Sequence, residues 1–204
     1  MAQVFPTKSN LIATKKSLAL AKLGYDLMDK KRTILIREMM GLIDKAGSVQ
    51  SRIDETYARA YRSLQRANIS LGSCEPFGYS VPVDNTLTLS ARSVMGVELP
   101  TVSLEPEQFA LYYGLGSTNS QLDEACVQFG LVKQLTAELA EVESSVYRLA
   151  VAIKKTQKRA NALQNILIPQ FEHTIRFISG ALEEKEREDF GRLKVIKAQK
   201  LINN

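Results

Sequence analysis

The stretch from Val132 to Leu163, VKQLTAELAEVESSVYRLAVAIKKTQKRANAL, decides how this chain folds. Taken in alternating steps of three and four it gives Val132, Leu135, Leu139, Val142, Val146, Leu149, Ile153, Thr156, Ala160 and Leu163. Only Thr156 breaks the apolar run, and most residues between are Lys, Arg, Glu, Gln or Ser. Such steps keep one narrow stripe on one side of a helix, the geometry of a coiled-coil seam rather than a broad core face. A helix of this kind cannot bury its stripe alone and needs a partner of similar length.

The amino-terminal part offers that partner. Pro6-Thr7-Lys8-Ser9-Asn10 reads as a helix start, with Ser9 or Asn10 as the cap. From Leu11 a heptad series runs through Leu18, Tyr25, Arg32, Met39, Ala46, Ile53, Ala60 and Ala67, with a companion series Thr14, Ala21, Met28, Leu35, Leu42 and Val49. After Val49 the companion positions turn polar at Thr56 and Ser63. The apolar residues shift to Tyr57, Tyr61, Leu64 and Leu71, a drift expected when a helix relaxes from period 3.5 toward 3.6. Gly24, Gly41 and Gly47 each cost about 1 kcal/mol relative to Ala inside a helix. They are read as tolerated within a single helix from Lys8 to Leu71, with a bend near Gly47-Ser48.

Ser117, Thr118 or Asn119 caps the second helix, which runs to the neighbourhood of Leu201. Proline in a helix interior costs about 3 kcal/mol, so Pro169 predicts a bend between Asn165 and Gln170. Farther on, Glu183-Glu184-Lys185-Glu186-Arg187-Glu188-Asp189 is nearly all charged, with pairs such as Glu183–Arg187 at i,i+4. Between the helices, Gly72 to Thr118 holds most of the prolines. Val81, Val83, Leu87 and Leu89 alternate with other residues, and Val94, Val97, Leu99 and Val102 follow beyond Ser90-Ala91-Arg92. That pattern predicts two short strands in a hairpin, which must lean on the helices or on a partner because an isolated hairpin is marginal in water.

The expected fold is therefore all-α: a long antiparallel two-helix coiled-coil hairpin with a small middle insertion containing a short β-hairpin. Its divisions are 1–71 (first long helix), 72–119 (insertion) and 120–204 (second long helix with an overhanging tip). With Leu71 and Ser120 at the closed end, Lys8 falls opposite Glu183 or its neighbours. The second helix then overhangs by about 20 residues, close to 30 Å at the helical rise.

Composition narrows function mainly by exclusion. The 204 residues are 45% hydrophobic and 24% charged, with no Trp and 7% aromatics, which argues against a large globular core. No apolar run approaches the roughly 18 residues a membrane span needs, and no basic-then-apolar leader opens the chain. Cys74 and Cys126 are expected as reduced, structural thiols, and with His173 as the only histidine they make no metal-ligand cluster. No Gly-rich loop ends in Gly-Lys-Ser/Thr, Gly114-Leu115-Gly116 reads as a loop, and His173 beside Glu172 reads as a surface or seam residue. No catalytic, cofactor-binding or metal residue is expected. The net charge of +5 permits nucleic acid, acidic lipid or acidic protein as partner.

The notable charge feature is Lys154, Lys155, Lys158 and Arg159 on adjoining flanks of the second helix, with Lys30, Lys31 and Arg32 at the same height on the first. A solvated flank is one reading. The other is a basic band that meets acidic groups of a partner, which would relieve the repulsion between the two clusters.

Blocks along nearly the whole chain closely resemble the D subunit of V/A-type rotary ATPases in its prokaryotic form. They are Pro6 to Leu11, Leu18 to Ala21 with Gly24-Tyr25-Asp26-Leu27, Lys30-Lys31-Arg32, and Ser93-Val94-Met95-Gly96-Val97 with Pro100. Tyr147 to Ala150, Ile153 to Thr156, Asn161-Ala162-Leu163, Ile168-Pro169, and Glu186 to Phe190 with Arg192-Leu193-Lys194 complete the set. Gly191 departs from the family, which often has a second aromatic there. The resemblance implies a central rotor stalk without catalytic residues of its own, coupling ATP hydrolysis or synthesis to ion transport. Its implied partners are the catalytic A and B subunits of a ring, the small F subunit of the stalk and a funnel subunit (C, or d) above the membrane ring. No nucleic acid and no membrane insertion are implied, and the complex would sit on the cytoplasmic face of the cell membrane. Lys30, Lys31, Arg32, Lys154, Lys155, Lys158, Arg159, Glu186, Arg187, Phe190, Arg192 and Lys194 are the expected interface residues. Two alternatives stay open on the residues alone: a basic helical hairpin that binds nucleic acid, and a passive coiled-coil tether.

Overall fold

The computed structural model describes residues 5–104 and 112–202, with side chains through 199. The ends of the expected divisions (1–4 and 203–204) and the stretch 105–111 of the insertion, Pro106 included, lie outside the described residues. The elements are α1 (Lys8–Leu71), a one-turn α2 (Glu75–Gly78), β1 (Thr88–Val94), β2 (Val97–Ser103), a 3-10 turn (Leu115–Ser117), α3 (Ser120–Ala162), a π-helical turn (Leu163–Leu167) and α4 (Ile168–Ile202). The architecture is long helices with a two-stranded antiparallel hairpin in the middle, as the heptads and the alternation predict.

Two units can be described. The first comprises residues 1–32 and 154–204, the second residues 33–153, and α1 contributes to both. In the second unit every seam residue from Val132 to Ile153 is buried or half-buried, as are Met39, Leu42, Ala46, Val49 and Ile53 of α1. The heptad of α1 does not drift beyond Val49, contrary to the reading of the apolar pattern. Thr56 and Ser63 are buried in the companion positions at 4% and 5% exposure, Ala60 and Ala67 are wholly buried, and Tyr61 lies outside. Small side chains let the helices run close, and the Thr56 hydroxyl donates to the Arg52 carbonyl (2.7 Å), so its burial leaves no donor stranded. Tyr57 and Tyr61 instead stack beside the seam, with Phe129 edge-on to Tyr61 at 5.7 Å between ring centres.

The cap of α1 is Thr7, not Ser9 or Asn10: its Oγ1 accepts from the Asn10 N–H (3.2 Å), one of the orphan donors of the first turn. The cap of α3 is Asn119, one of the three expected, whose Oδ1 accepts from the Leu122 N–H (3.1 Å). The same Asn119 donates to Ser70 Oγ (2.7 Å), which in turn donates to Gln121 Oε1 (2.8 Å), joining the end of α1 to the start of α3. The helix α1 is unbroken through Gly24, Gly41 and Gly47. At Pro169 the chain widens into a π turn, with the Ile168 N–H reaching back to the Leu163 carbonyl. The wider turn ends just ahead of Pro169, where a missing N–H would otherwise leave a gap in the ladder.

The hairpin is displaced from its expected place. Ser90-Ala91-Arg92 lie inside β1, the turn is Met95-Gly96, and Val81 and Val83 precede the strands altogether. Met95 and Gly96 have φ of 51° and 75°, the two positive values of a turn whose twist matches the strands it joins. Glycine adopts this freely and methionine does not, which is why Met-Gly is a weak signal in sequence. One face of the hairpin is seated on both helices: Leu99, Leu35 of α1 and Leu149 of α3 are each at 0% exposure, with Val94 and Val97 packed around them.

Side chains of α3 also hold the outer edge of β2. Glu141 Oε2 accepts from the Val102 N–H (2.8 Å), Ser145 Oγ donates to the Pro100 carbonyl (3.5 Å) and Arg148 Nη1 donates to the Glu98 carbonyl (3.1 Å). These three recur one helical turn apart while the backbone groups they meet recur every second residue of the strand, so one helix face serves a whole strand edge.

Candidate partner interface

All twelve expected interface residues fall in the first unit. There Ala21, Thr156, Ala160 and Ile178 form the buried line, and the seam side of Gly24 faces Leu163. Arg32 occupies a seam position of α1 and is spent internally. Its Nη1 donates to Gln157 Oε1 (2.5 Å) and its Nη2 pairs with Asp29 (2.6 Å). This contact brings the two basic clusters to one height, as the register predicts. Lys30, Lys154, Lys155, Lys158 and Arg159 are exposed and Lys31 half-buried, and among the described residues no acidic side chain lies within ion-pair distance of any of them. From Ser144 to Phe171 the sequence contains no acid at all, so this face of α3 has no local charge compensation. Of the seven basic residues singled out, six are available to a partner and Arg32 is a structural one.

The end of α4 is different. Lys8 pairs with Glu186 (3.1 Å) and Lys22 with Glu172 (2.9 Å), which sets the register within this unit about three residues beyond the expected Glu183. Past Glu186, α4 continues to Ile202 with no segment of α1 left to pair with it, and every described side chain from Glu183 onward is exposed. Arg187 pairs with Glu184 (3.7 Å) rather than Glu183, and Arg192 with Glu188 (3.8 Å) and Asp189 (3.7 Å). Lys194 lies over the Phe190 ring at 5.4 Å. Phe190, Leu193 and Ile196 nevertheless project outward from one flank of this helix. A Cβ at Gly191 would meet nothing within 4 Å, so the absent aromatic leaves open space rather than relieving a clash.

Sequence reasoning passed over a third feature, in the second unit. A cavity of about 520 Å³ opens beside the ends of α1 and α3, lined by Leu64, Cys74, Phe77, Tyr113, Cys126 and Phe129 among others. Tyr113 donates to Asp123 Oδ1 (2.7 Å). Burial above all, then Cys126 and Asp123, push its hydroxyl well above the ordinary tyrosine range, so it stays a donor. Nearby, Lys133 pairs with Asp84 (2.6 Å), and Asp84 also accepts from the Thr86 hydroxyl and N–H. These bonds hold the Asp84 carboxyl down to about 2 and pin the loop ahead of β1 to α3. No periodic pattern announces such a site, because it is assembled from a loop, a one-turn helix and a helix start.

Among the described residues no three His, Cys, Asp or Glu side chains are placed to hold a metal ion, and no helix is long and apolar enough to cross a membrane.

Residues 10–198 match the profile of the ATP synthase D subunit family. The chain is 45% identical over 196 residues to the V-type ATP synthase D subunit of Thermotoga neapolitana, covering 95% of this chain and 97% of that protein. It is 35% identical over 201 residues to the A-type ATP synthase D subunit of Pyrococcus horikoshii, covering 96% of this chain and 94% of that one. The A-type D subunit of Thermococcus kodakarensis is likewise 35% identical, over 203 residues, with 97% of this chain and 95% of the relative covered.

Proposed function

This chain belongs to the ATP synthase D subunit family, and we propose that it is the central rotor shaft of such a complex. Membership makes it a structural subunit of an ATP synthase. The observation that most supports a shaft is the unpaired end of α4, where no described side chain from Glu183 onward is buried and the helix continues beyond the start of α1. A helix of that kind gains its place by entering something else. The partner here is the ring of A and B subunits, with Glu186, Arg187, Phe190, Arg192 and Lys194 making the contact. Lys30, Lys31, Lys154, Lys155, Lys158 and Arg159 meet acidic groups of the same assembly, where a charge face without local compensation is neutralised.

The shaft is not itself an enzyme in this reading. An asymmetric helix pair presents a different face to each of several identical sites in the ring. Turning it shifts those sites among their conformations, and by linkage a change in nucleotide binding turns the shaft. Two interlocked helices resist twist better than one, so torque reaches the ion-transporting part. The small F subunit and a funnel subunit complete the stalk, and the complex stands on the cytoplasmic face of the membrane.

The test is single-molecule rotation of the reconstituted complex with the full chain and with a chain ending at Glu183. The truncated chain should stay folded and keep the small companion, while ring affinity falls and ATP-driven rotation slows or loses torque. Equal torque and equal ring affinity would make the end of α4 a passive extension.

A further inference from the structure

The two edges of the hairpin are treated in opposite ways. In a hairpin closed by the two-residue turn Met95-Gly96, Val94 and Val97 form a hydrogen-bonded pair, and hydrogen-bonded positions recur at every second residue. Ser90, Arg92 and Val94 of β1 thus bond inward to β2, whereas Leu89, Ala91 and Ser93 point their N–H and C=O groups outward. The same alternation turns Glu98, Pro100 and Val102 of β2 outward, and those are the residues met by Arg148, Ser145 and Glu141 of α3. The edge of β2 is therefore covered, and it also has a proline.

The edge of β1 has nothing of the kind. Among the described residues no group bonds to the outward N–H or C=O of Leu89, Ala91 or Ser93. Every residue from Thr88 to Ser93 is exposed, and Leu89 is 70% exposed. Exposed strand edges are ordinarily guarded by lysine, proline, a bulge or an inward charge. β1 has no lysine, proline or bulge, and its one charged residue, Arg92, is held by Glu38 of α1 at 2.6 Å. The approach to the strand adds to the apolar surface, with Val83 84% exposed and Leu87 exposed.

We propose that the free edge of β1, at Leu89, Ala91 and Ser93, is a docking edge that takes up an extended segment of another ATP synthase subunit as a third strand. This rests on the reading of the chain as one subunit working among others, which supplies the occupant. The chemistry of the edge describes that occupant: its backbone supplies the complementary donors and acceptors over the length of β1. Its side chains are uncharged where they flank Leu89 and Ala91, because a charge there would be desolvated without a counter-charge. The hairpin is fixed to both helices through Leu99, Leu35 and Leu149, so a strand added to it is fixed to the helices as well.

The test is residue-resolved amide hydrogen exchange on the full chain, alone at two concentrations and within the complex purified through a tag on this chain. Alone, the inward amides of Ser90, Arg92 and Val94 should exchange slowly and those of Leu89, Ala91 and Ser93 fast. In the complex the outward three should slow by at least about tenfold, the protection a new ladder bond gives. Ala91→Pro removes an outward N–H without touching the ladder to β2, as proline on a strand edge does, and Ala91→Lys adds an edge charge while keeping the N–H. Both should weaken incorporation of the chain with its melting unchanged, and Ala91→Val should not. A complex that forms with the outward amides still fast overturns the docking edge and leaves the shaft reading standing. Protection that rises with concentration in the isolated chain assigns the edge to a second copy and overturns it too. Failure of any other ATP synthase subunit to co-purify overturns both readings.

Discussion

The middle of α3 and the end of α4 are both regular helix, yet they are helical for different reasons. Around Leu149 the helix is held by what it buries: Leu35 from α1 and Leu99 from the hairpin close over it, and no face of the three is left to water. From Glu183 onward no described side chain is buried, and the helix relies on intrinsic propensity, on pairs three and four residues apart such as Arg192 with Glu188, and on the hydrogen-bond ladder begun farther back. Such pairs contribute about 0.2–0.5 kcal/mol each, whereas burying one leucine contributes about 1.5–3 kcal/mol. A helix that spends its side chains on solvent is available to a partner, and one that spends them inward is a scaffold.

The sharpest way to break this contrast is one substitution made in both places. Leu149→Asp should destabilise the second unit by about 4 kcal/mol or more, since a charge without a partner would be forced among Leu35 and Leu99. Leu193→Asp, on the exposed end of α4, should change stability by less than about 0.5 kcal/mol while weakening assembly. Urea denaturation of the two variants checks the pair, and equal losses would mean that the end of α4 is buried in solution.

Next in size is Leu99→Ala. It leaves a cavity between the hairpin and both helices and should cost about 2–5 kcal/mol, with exchange across β1 and β2 accelerating before that of the helices. If the helices and the hairpin loosen together, the hairpin is an integral part of the core rather than a piece laid on it.

Smaller still is Lys8→Ala. The Lys8–Glu186 pair is exposed on both sides, so removing it should cost no more than about 1 kcal/mol and less at high salt. The smallest effect is local, at Asp84. Its folded value of about 2 lies below the ordinary 3.8, so the tether to Lys133 adds stability that is fully present above 3.8 and is lost as pH falls through about 2. A carboxyl titration followed by NMR should place the midpoint near 2 in the parent and return it toward 3.8 in Lys133→Ala; a parent midpoint near 4 would mean that the pair does not hold in solution.

Much of this protein is legible in its residues alone. The steps of three and four from Val132 to Leu163 specify a narrow seam, and every one of those residues is buried or half-buried. The span of α1 and the cap at Asn119 are equally readable, because heptads and caps are local rules acting within a few residues. The excess of uncompensated positive charge on one side of α3 is visible in the absence of acid after Glu143.

Tertiary structure decided the rest. Thr56 and Ser63 look like the end of a seam and are part of it, because two helices close enough to exclude water prefer small residues to large ones. Arg32 looks like part of a basic surface and is instead bonded to Gln157, a residue 125 positions away. The hairpin turn sits at Met95-Gly96, where a positive φ on methionine is sustained by strands anchored through Leu99. Glu141, Ser145 and Arg148 lie between seam positions in the sequence and turn out to cover a strand edge. Each of these depends on what a side chain meets from a distant part of the chain, and periodicity says which way a residue points but not what waits there.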